Sequence, residues 1–144
     1  MSVRAAMSTR VETIRPWMSI QEAARRMVAT GLTILCVIDP PAKLVGILAL
    51  NDILRAPFRR NLVASDRLAD NLQTWPDLRV DQVVRRRVVT IEPSTPLVLA
   101  AAKMVNREMA RLPVVEDGQL VGIISPADIV SPLLRRGPSP PRAS

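Results

Sequence analysis

Apolar residues follow two different rhythms along this chain. Ile20, Ala23, Ala24, Met27 and Val28 recur at the i, i+3, i+4, i+7, i+8 spacing of one helical face. Ser19 with Glu22 three positions on is a capping-box start, and Gly31 is a C-terminal stop. After the helix the rhythm changes. Residues 33–38 are a β-rich apolar run, Asp39-Pro40-Pro41-Ala42 carries turn residues, and residues 44–48 are a second apolar run, which together predict an antiparallel hairpin. A tighter hairpin is predicted over residues 112–115 and 120–124, where Asp117-Gly118 supplies the turn. Short helices are expected from about Asn51 and Pro126.

The two hairpins belong to an internal repeat. Val11-Glu12-Thr13-Ile14-Arg15-Pro16 returns as Val88-Val89-Thr90-Ile91-Glu92-Pro93, an offset of 77 residues, and Ala23-Ala24-Arg25-Arg26-Met27-Val28 returns as Ala100-Ala101-Ala102-Lys103-Met104-Val105 at the same offset. Leu44-Val45-Gly46-Ile47 returns as Leu120-Val121-Gly122-Ile123, and Asp52-Ile53 as Asp128-Ile129, now offset by 76 because the second turn is one residue shorter. Each copy reads β-α-β-β-α, so the fold class is α+β. A unit this small cannot bury both faces of its own sheet, and the two copies are expected to pack as one pseudo-two-fold module. The chain divides into a first repeat (3–55), a linker (56–79), a second repeat (80–134) and a basic tail (135–144). In the linker, Leu62, Val63, Leu68 and Leu72 suit an amphipathic helix that Trp75-Pro76-Asp77 would break. The tail lacks apolar periodicity and is expected to be disordered.

Composition narrows the chemistry. Of the 144 residues 48% are apolar but only Trp17, Phe58 and Trp75 are aromatic, so the core must be aliphatic. Histidine is absent, which excludes Ser–His–Asp and Cys–His catalysis and mixed Cys/His zinc sites. Cys36, the single cysteine, lies in the apolar run Ile34-Leu35-Cys36-Val37-Ile38, where a buried, inert thiol is expected. No nucleophile–base pair or metal cluster is visible, and the chain is not read as an enzyme. The net charge of +7 permits an anionic partner without demonstrating one. No leader-like or membrane-spanning apolar stretch is present, and a cytoplasmic location is expected.

Two repeats that open on Val-x-Thr-Ile-x-Pro, continue through Ala-Ala-x-x-Met and Leu-Pro-Val-Val, and close on Leu-Val-Gly-Ile-Ile-Ser-x-x-Asp-Ile resemble a pair of cystathionine-beta-synthase-type (CBS) domains, over residues 3 to about 133. The resemblance implies a regulatory module that often dimerises. It implies that an adenosine-containing ligand, an adenine nucleotide or an S-adenosyl compound, binds in the cleft between the repeats, and that occupancy is passed to an effector protein. It assigns ligand contacts to Val89, Thr90 and Ile91, to Leu112, Pro113 and Val114, and to Ser125 and Asp128. Asp128 would accept the ribose hydroxyls, and Ser125, at a helix start, would donate to a phosphate. Arg111, just before Leu112, is the best-placed cation for that phosphate.

The same residues also suit helix initiation alone, with Ser125 as N-cap, Pro126 as first helical residue and Asp128 three positions after the cap. In the first repeat Thr13 and Asp52 keep the adenine and ribose positions, but Ala49 stands where Ser125 stands and Cys36 where Pro113 stands. Asn51 is expected to take over capping there, and the second-repeat site to be the better or only binder. The clusters Arg59-Arg60, Arg85-Arg86-Arg87 and Arg135-Arg136 read as solvated faces or tail. Two other functions stay open: nucleic-acid binding through these clusters, which the scarcity of aromatic stacking platforms disfavours, and a ligand-free dimerisation module.

Overall fold

The computed structural model describes residues 1–56 and 78–135. The expected linker helix around Leu62, Val63, Leu68 and Leu72, the break at Trp75-Pro76-Asp77 and the tail after residue 135 lie outside the described residues. In chain order the elements are α1 (Val3–Ala6), β1 (Thr13–Ile14), α2 (Ile20–Thr30), β2 (Ile34–Asp39), β3 (Lys43–Ala49) and α3 (Leu50–Arg55), then a 3-10 turn (Val80–Gln82), α4 (Leu97–Arg107), β4 (Leu112–Glu116), β5 (Gln119–Ile124) and α5 (Pro126–Arg135). The mixed α+β class is that read from the sequence; the first copy has the β-α-β-β-α order, while in the second the opening strand is reduced to an isolated bridge at Ile91.

The chain forms two compact units. One spans residues 12–88; the other combines residues 1–11 with residues 89–144. In the 12–88 unit β1 lies parallel to β2, with Thr13 opposite Cys36 and Ile14 opposite Val37, and β2 is antiparallel to β3. With both edges of β2 paired, its run Leu35-Cys36-Val37-Ile38 is buried throughout, as a continuous apolar strand must be. α2 begins where Ser19 Oγ accepts the Glu22 N–H at 3.1 Å and ends where Gly31 takes a φ of 73°. Ile20, Ala23 and Met27 point from α2 into an aliphatic core with Ile14, Leu35, Val37, Leu48 and Ile53.

The other unit repeats this plan. Ile91 bridges Val114 in parallel, β4 and β5 form the second hairpin, and Ala100 and Met104 from α4 pack on Leu112, Val114 and Ile124. The hairpin turn places both Asp117 (φ 53°) and Gly118 (φ 78°) in the left-handed region, as a two-residue turn of this kind demands. One expectation about the helices fails. Val28 is 77% exposed and its counterpart Val105 75% exposed. Eight residues at 3.6 per turn carry the side chain about 80° round from the first position of the stripe, past the edge of the buried face.

The compact units do not coincide with the sequence repeats, because the opening segment of each repeat packs with the body of the other. Val3 is fully buried in the core that contains Ala100 and Leu112, and Val80 in the core that contains Ala23 and Leu35. The backbone bonds match pair for pair. Val3 N–H donates to Thr95 O at 2.8 Å and Arg4 N–H to Pro93 O at 2.9 Å; Val80 N–H donates to Met18 O and Asp81 N–H to Pro16 O, both at 2.8 Å. Each segment then runs along a hairpin. Ser8 exchanges two backbone bonds with Ile123, both 2.9 Å, and Arg85 exchanges two with Ile47, at 2.9 and 3.0 Å.

That approach explains the shared glycines of the Leu-Val-Gly-Ile motif. A Cβ at Gly122 would sit 2.8 Å from Ser8 O, and one at Gly46 would collide with Arg85 O. Backbone cannot yield as a flexible side chain would. Gly46→Ala and Gly122→Ala are therefore expected to lower the unfolding free energy by about 2–3 kcal/mol each. Gly31→Ala, which meets open space and only a left-handed backbone, should cost about 1 kcal/mol. Urea denaturation of the three variants checks the order.

Candidate functional site

Both repeats end their hairpin on a helix start that carries an aspartate at the third helical position. In the 89–144 unit that start is a full capping box. Ser125 N–H donates to Asp128 Oδ2 at 2.8 Å, Ser125 Oγ donates to the same oxygen at 3.1 Å, and Asp128 N–H reaches Ser125 Oγ at 3.4 Å. Asp128 is half-buried. Its Oδ1 has no hydrogen-bond partner among the described residues, so one carboxylate oxygen keeps its full capacity to accept. The arrangement satisfies the helix-start reading and leaves a ligand role possible at the same residue.

The equivalent start in the 12–88 unit is built differently. Ala49 is the N-cap and has no side chain to offer, while Asp52 Oδ2 accepts the Ala49 N–H at 3.0 Å. Asn51 lies inside α3 and does not cap it, contrary to the expectation, because the helix begins one residue earlier, at Leu50. Asp52 is completely buried, the single buried charged residue among the described residues. Arg85 neutralises it: Nη2 lies 2.8 Å from Oδ1, and Nε lies 2.9 and 3.0 Å from Oδ1 and Oδ2. This corrects the reading of Arg85 as part of a solvated arginine run. Its backbone is held on β3 by Ile47, so the guanidinium can reach the carboxylate beneath it.

The opening strands are held by a second device that repeats. Lys103 Nζ donates to Thr90 O at 2.8 Å, and its counterpart Arg26 donates from Nη1 to Thr13 O at 3.3 Å. Thr90, Ile91 and Lys103 line one wall of a cleft of about 440 Å³ that Glu92, Thr95 and Leu99 complete. Of the other positions the resemblance singled out, Leu112 and Val114 have fully buried side chains in the core, and Ile91 is 6% exposed in the same cluster. The ladder also uses their backbone: Ile91 N–H donates to Pro113 O at 3.1 Å and Val115 N–H to Ile91 O at 2.9 Å. The ladder thus occupies both the N–H and the C=O of Ile91, and the side chains of Leu112 and Val114 belong to the core. Pro113 is buried, Val89 and Thr90 are half-buried, and Thr13 is half-buried in the other unit. Arg111 is half-buried, and no described residue pairs with its guanidinium.

Among the described residues there is no cluster of three or more His, Cys, Asp or Glu side chains that could hold a metal ion, and no helix long and apolar enough to cross a membrane. Cys36 is buried at 1% exposure. The resemblance drawn from the repeats is settled by comparison. The sequence pattern of the CBS domain matches residues 3–59 and 80–135, and the chain belongs to that family, with two copies. CBSX2 of Arabidopsis thaliana, solved in complex with AMP, superposes with a TM-score of 0.75 at 27% identity, covering 94% of this chain and 97% of that one. A CBS domain pair solved with 5′-methylthioadenosine and S-adenosyl-L-methionine superposes with a TM-score of 0.68 at 26% identity, covering 94% of this chain and 98% of that one. A homoserine O-acetyltransferase of Methanococcoides burtonii is 34% identical over 129 residues, which are 89% of this chain and 23% of that enzyme. The chain spans only 21–24% of the length of the first such relatives.

The Asp52–Arg85 pair makes an asymmetric stability prediction. Removing the cation strands a carboxylate that is 0% exposed, whereas Arg85, 48% exposed, can rehydrate when its partner goes. Arg85→Ala is expected to cost about 2–3 kcal/mol, below the range for a pair buried on both sides. Asp52→Asn, which keeps an acceptor for the Ala49 N–H, should cost about 1 kcal/mol. Chemical denaturation of both variants measures the difference, and equal losses would contradict this account.

Proposed function

We propose that the chain is a cytoplasmic regulatory module that binds an adenosine-containing ligand, an adenine nucleotide or an S-adenosyl compound, and passes its occupancy to a partner protein. The observation that carries this reading is Asp128: a half-buried carboxylate at the start of α5, steered by Ser125 and keeping one oxygen for a ribose diol. Ser125 would turn its hydroxyl from Asp128 to a phosphate, and Arg111 adds a cation without a protein partner among the described residues. Val89, Thr90 and Pro113 would flank the adenine, with Ile91, Leu112 and Val114 holding those strands in place through the ladder and the core. The AMP, methylthioadenosine and S-adenosylmethionine bound by the two superposed CBS pairs favour this ligand class.

A ligand that binds only the folded state raises stability by about 2.7 kcal/mol at 100 times its dissociation constant. A panel of AMP, ADP, ATP, S-adenosylmethionine and methylthioadenosine, read by thermal unfolding, should give a rise of several degrees with at least one member. Asp128→Ala should abolish it. A flat response across the panel would overturn the reading.

The second part of the proposal is a homodimer. In the 89–144 unit, α4 and α5 flank an apolar groove of about 430 Å³ lined by Met104, Met109 and Ile129, and Val105, Leu133 and Leu134 stand 75%, 62% and 74% exposed beside those helices. Apolar surface this concentrated is a normal mark of an interface. Light scattering should find a dimer, and Val105→Glu should return it to monomer with its fold intact by circular dichroism.

A further inference from the structure

The two repeats share an aspartate at a helix start but carry different residues where their opening segments meet the hairpins. Ser8 and Arg85 are counterparts: each exchanges backbone bonds with the matching isoleucine, Ile123 or Ile47, one residue after the glycine of its hairpin. Asp128 and Asp52 are counterparts as well. The Ser8 hydroxyl donates to Arg10 O at 3.4 Å and makes no bond to Asp128, which keeps an uncommitted oxygen. At residue 85 an arginine reaches both oxygens of Asp52, which also accepts the Ala49 N–H and is fully buried.

We propose that Arg85 is a built-in occupant of the first-repeat carboxylate, closing that site so that each chain takes one adenosine-containing ligand, at Asp128, and not two. The inference rests on the ligand class proposed above and adds its stoichiometry. A ribose diol offers two neutral hydroxyl donors, and to reach Asp52 it would have to displace a charged fork whose bonds are stronger than hydroxyl bonds to the same carboxylate. Displacement would also leave the guanidinium without its anion. Ala49 acts in the same direction, because a phosphate arriving at α3 would meet no hydroxyl.

The test is a calorimetric titration with adenosine, which needs no phosphate contact and so probes the carboxylates alone. The expected stoichiometry is one per chain for the natural sequence, none for Asp128→Ala, and two for Arg85→Ser, which copies the residue at position 8. Arg85→Lys keeps a cation beside Asp52 and should stay at one. Two adenosines bound per natural chain would overturn the inference while leaving the ligand class standing, as would an Arg85→Ser protein that folds and still binds one. If neither adenosine nor any nucleotide of the panel binds the natural chain, the proposed function itself falls and this inference with it. Should Arg85→Ser fail to fold, the natural stoichiometry and Arg85→Gln decide between the same outcomes.

Discussion

The structure turns on two close backbone approaches, Ser8 over Gly122 and Arg85 over Gly46. Each lays the opening segment of one repeat along the hairpin of the other repeat within one compact unit, and each requires that the hairpin carry no side chain at that point. Glycine weakens a strand when judged by propensity alone. Here its cost is offset by two main-chain hydrogen bonds and by a fully buried valine, Val3 or Val80, carried in by the same segment. The exchange also lets a unit of about fifty residues complete a core that its own contiguous sequence leaves open.

The same approach determines the electrostatics of the site. Arg85, seated on Gly46, reaches the aspartate at the following helix start, so its side chain sets what that carboxylate meets. With arginine there, the carboxylate can be buried completely, since a fork of donors replaces the water it loses. With serine there, the carboxylate keeps part of its exposure and an unused oxygen. A single substitution on a shared backbone thus separates a structural ion pair from a candidate ligand acceptor, although both aspartates sit in the same motif.

Much of the fold was legible because its signals are local. Ser19, Glu22 and Gly31 bound α2, Asp117-Gly118 closes the second hairpin, and the repeated Val-x-Thr-Ile and Leu-Val-Gly-Ile words mark equivalent strands. Val28 fits the i, i+8 spacing of the α2 stripe, yet its angle on the helix places it outside the buried face, as it does Val105 on α4. Asn51 suits capping by type, but α3 starts at Leu50 and so takes Asn51 inside the helix. The tie from Lys103 to Thr90 O, and from Arg26 to Thr13 O, was invisible in residue type, since any exposed basic residue on a helix reads as solvated.

Arg85 was the least legible, and the reason is physical. Within Arg85-Arg86-Arg87 nothing local distinguishes the first arginine from its neighbours, and its partner lies 33 positions away in the sequence. Alignment of the repeats held a usable signal all the same. Two copies that share an aspartate but place serine and arginine at the matching upstream position cannot give that aspartate the same environment. In a duplicated fold the identical residues report what the backbone requires. The residues that differ report where the two halves give an identical charge different surroundings: Asp52 is buried under Arg85, and Asp128 keeps an unbonded oxygen.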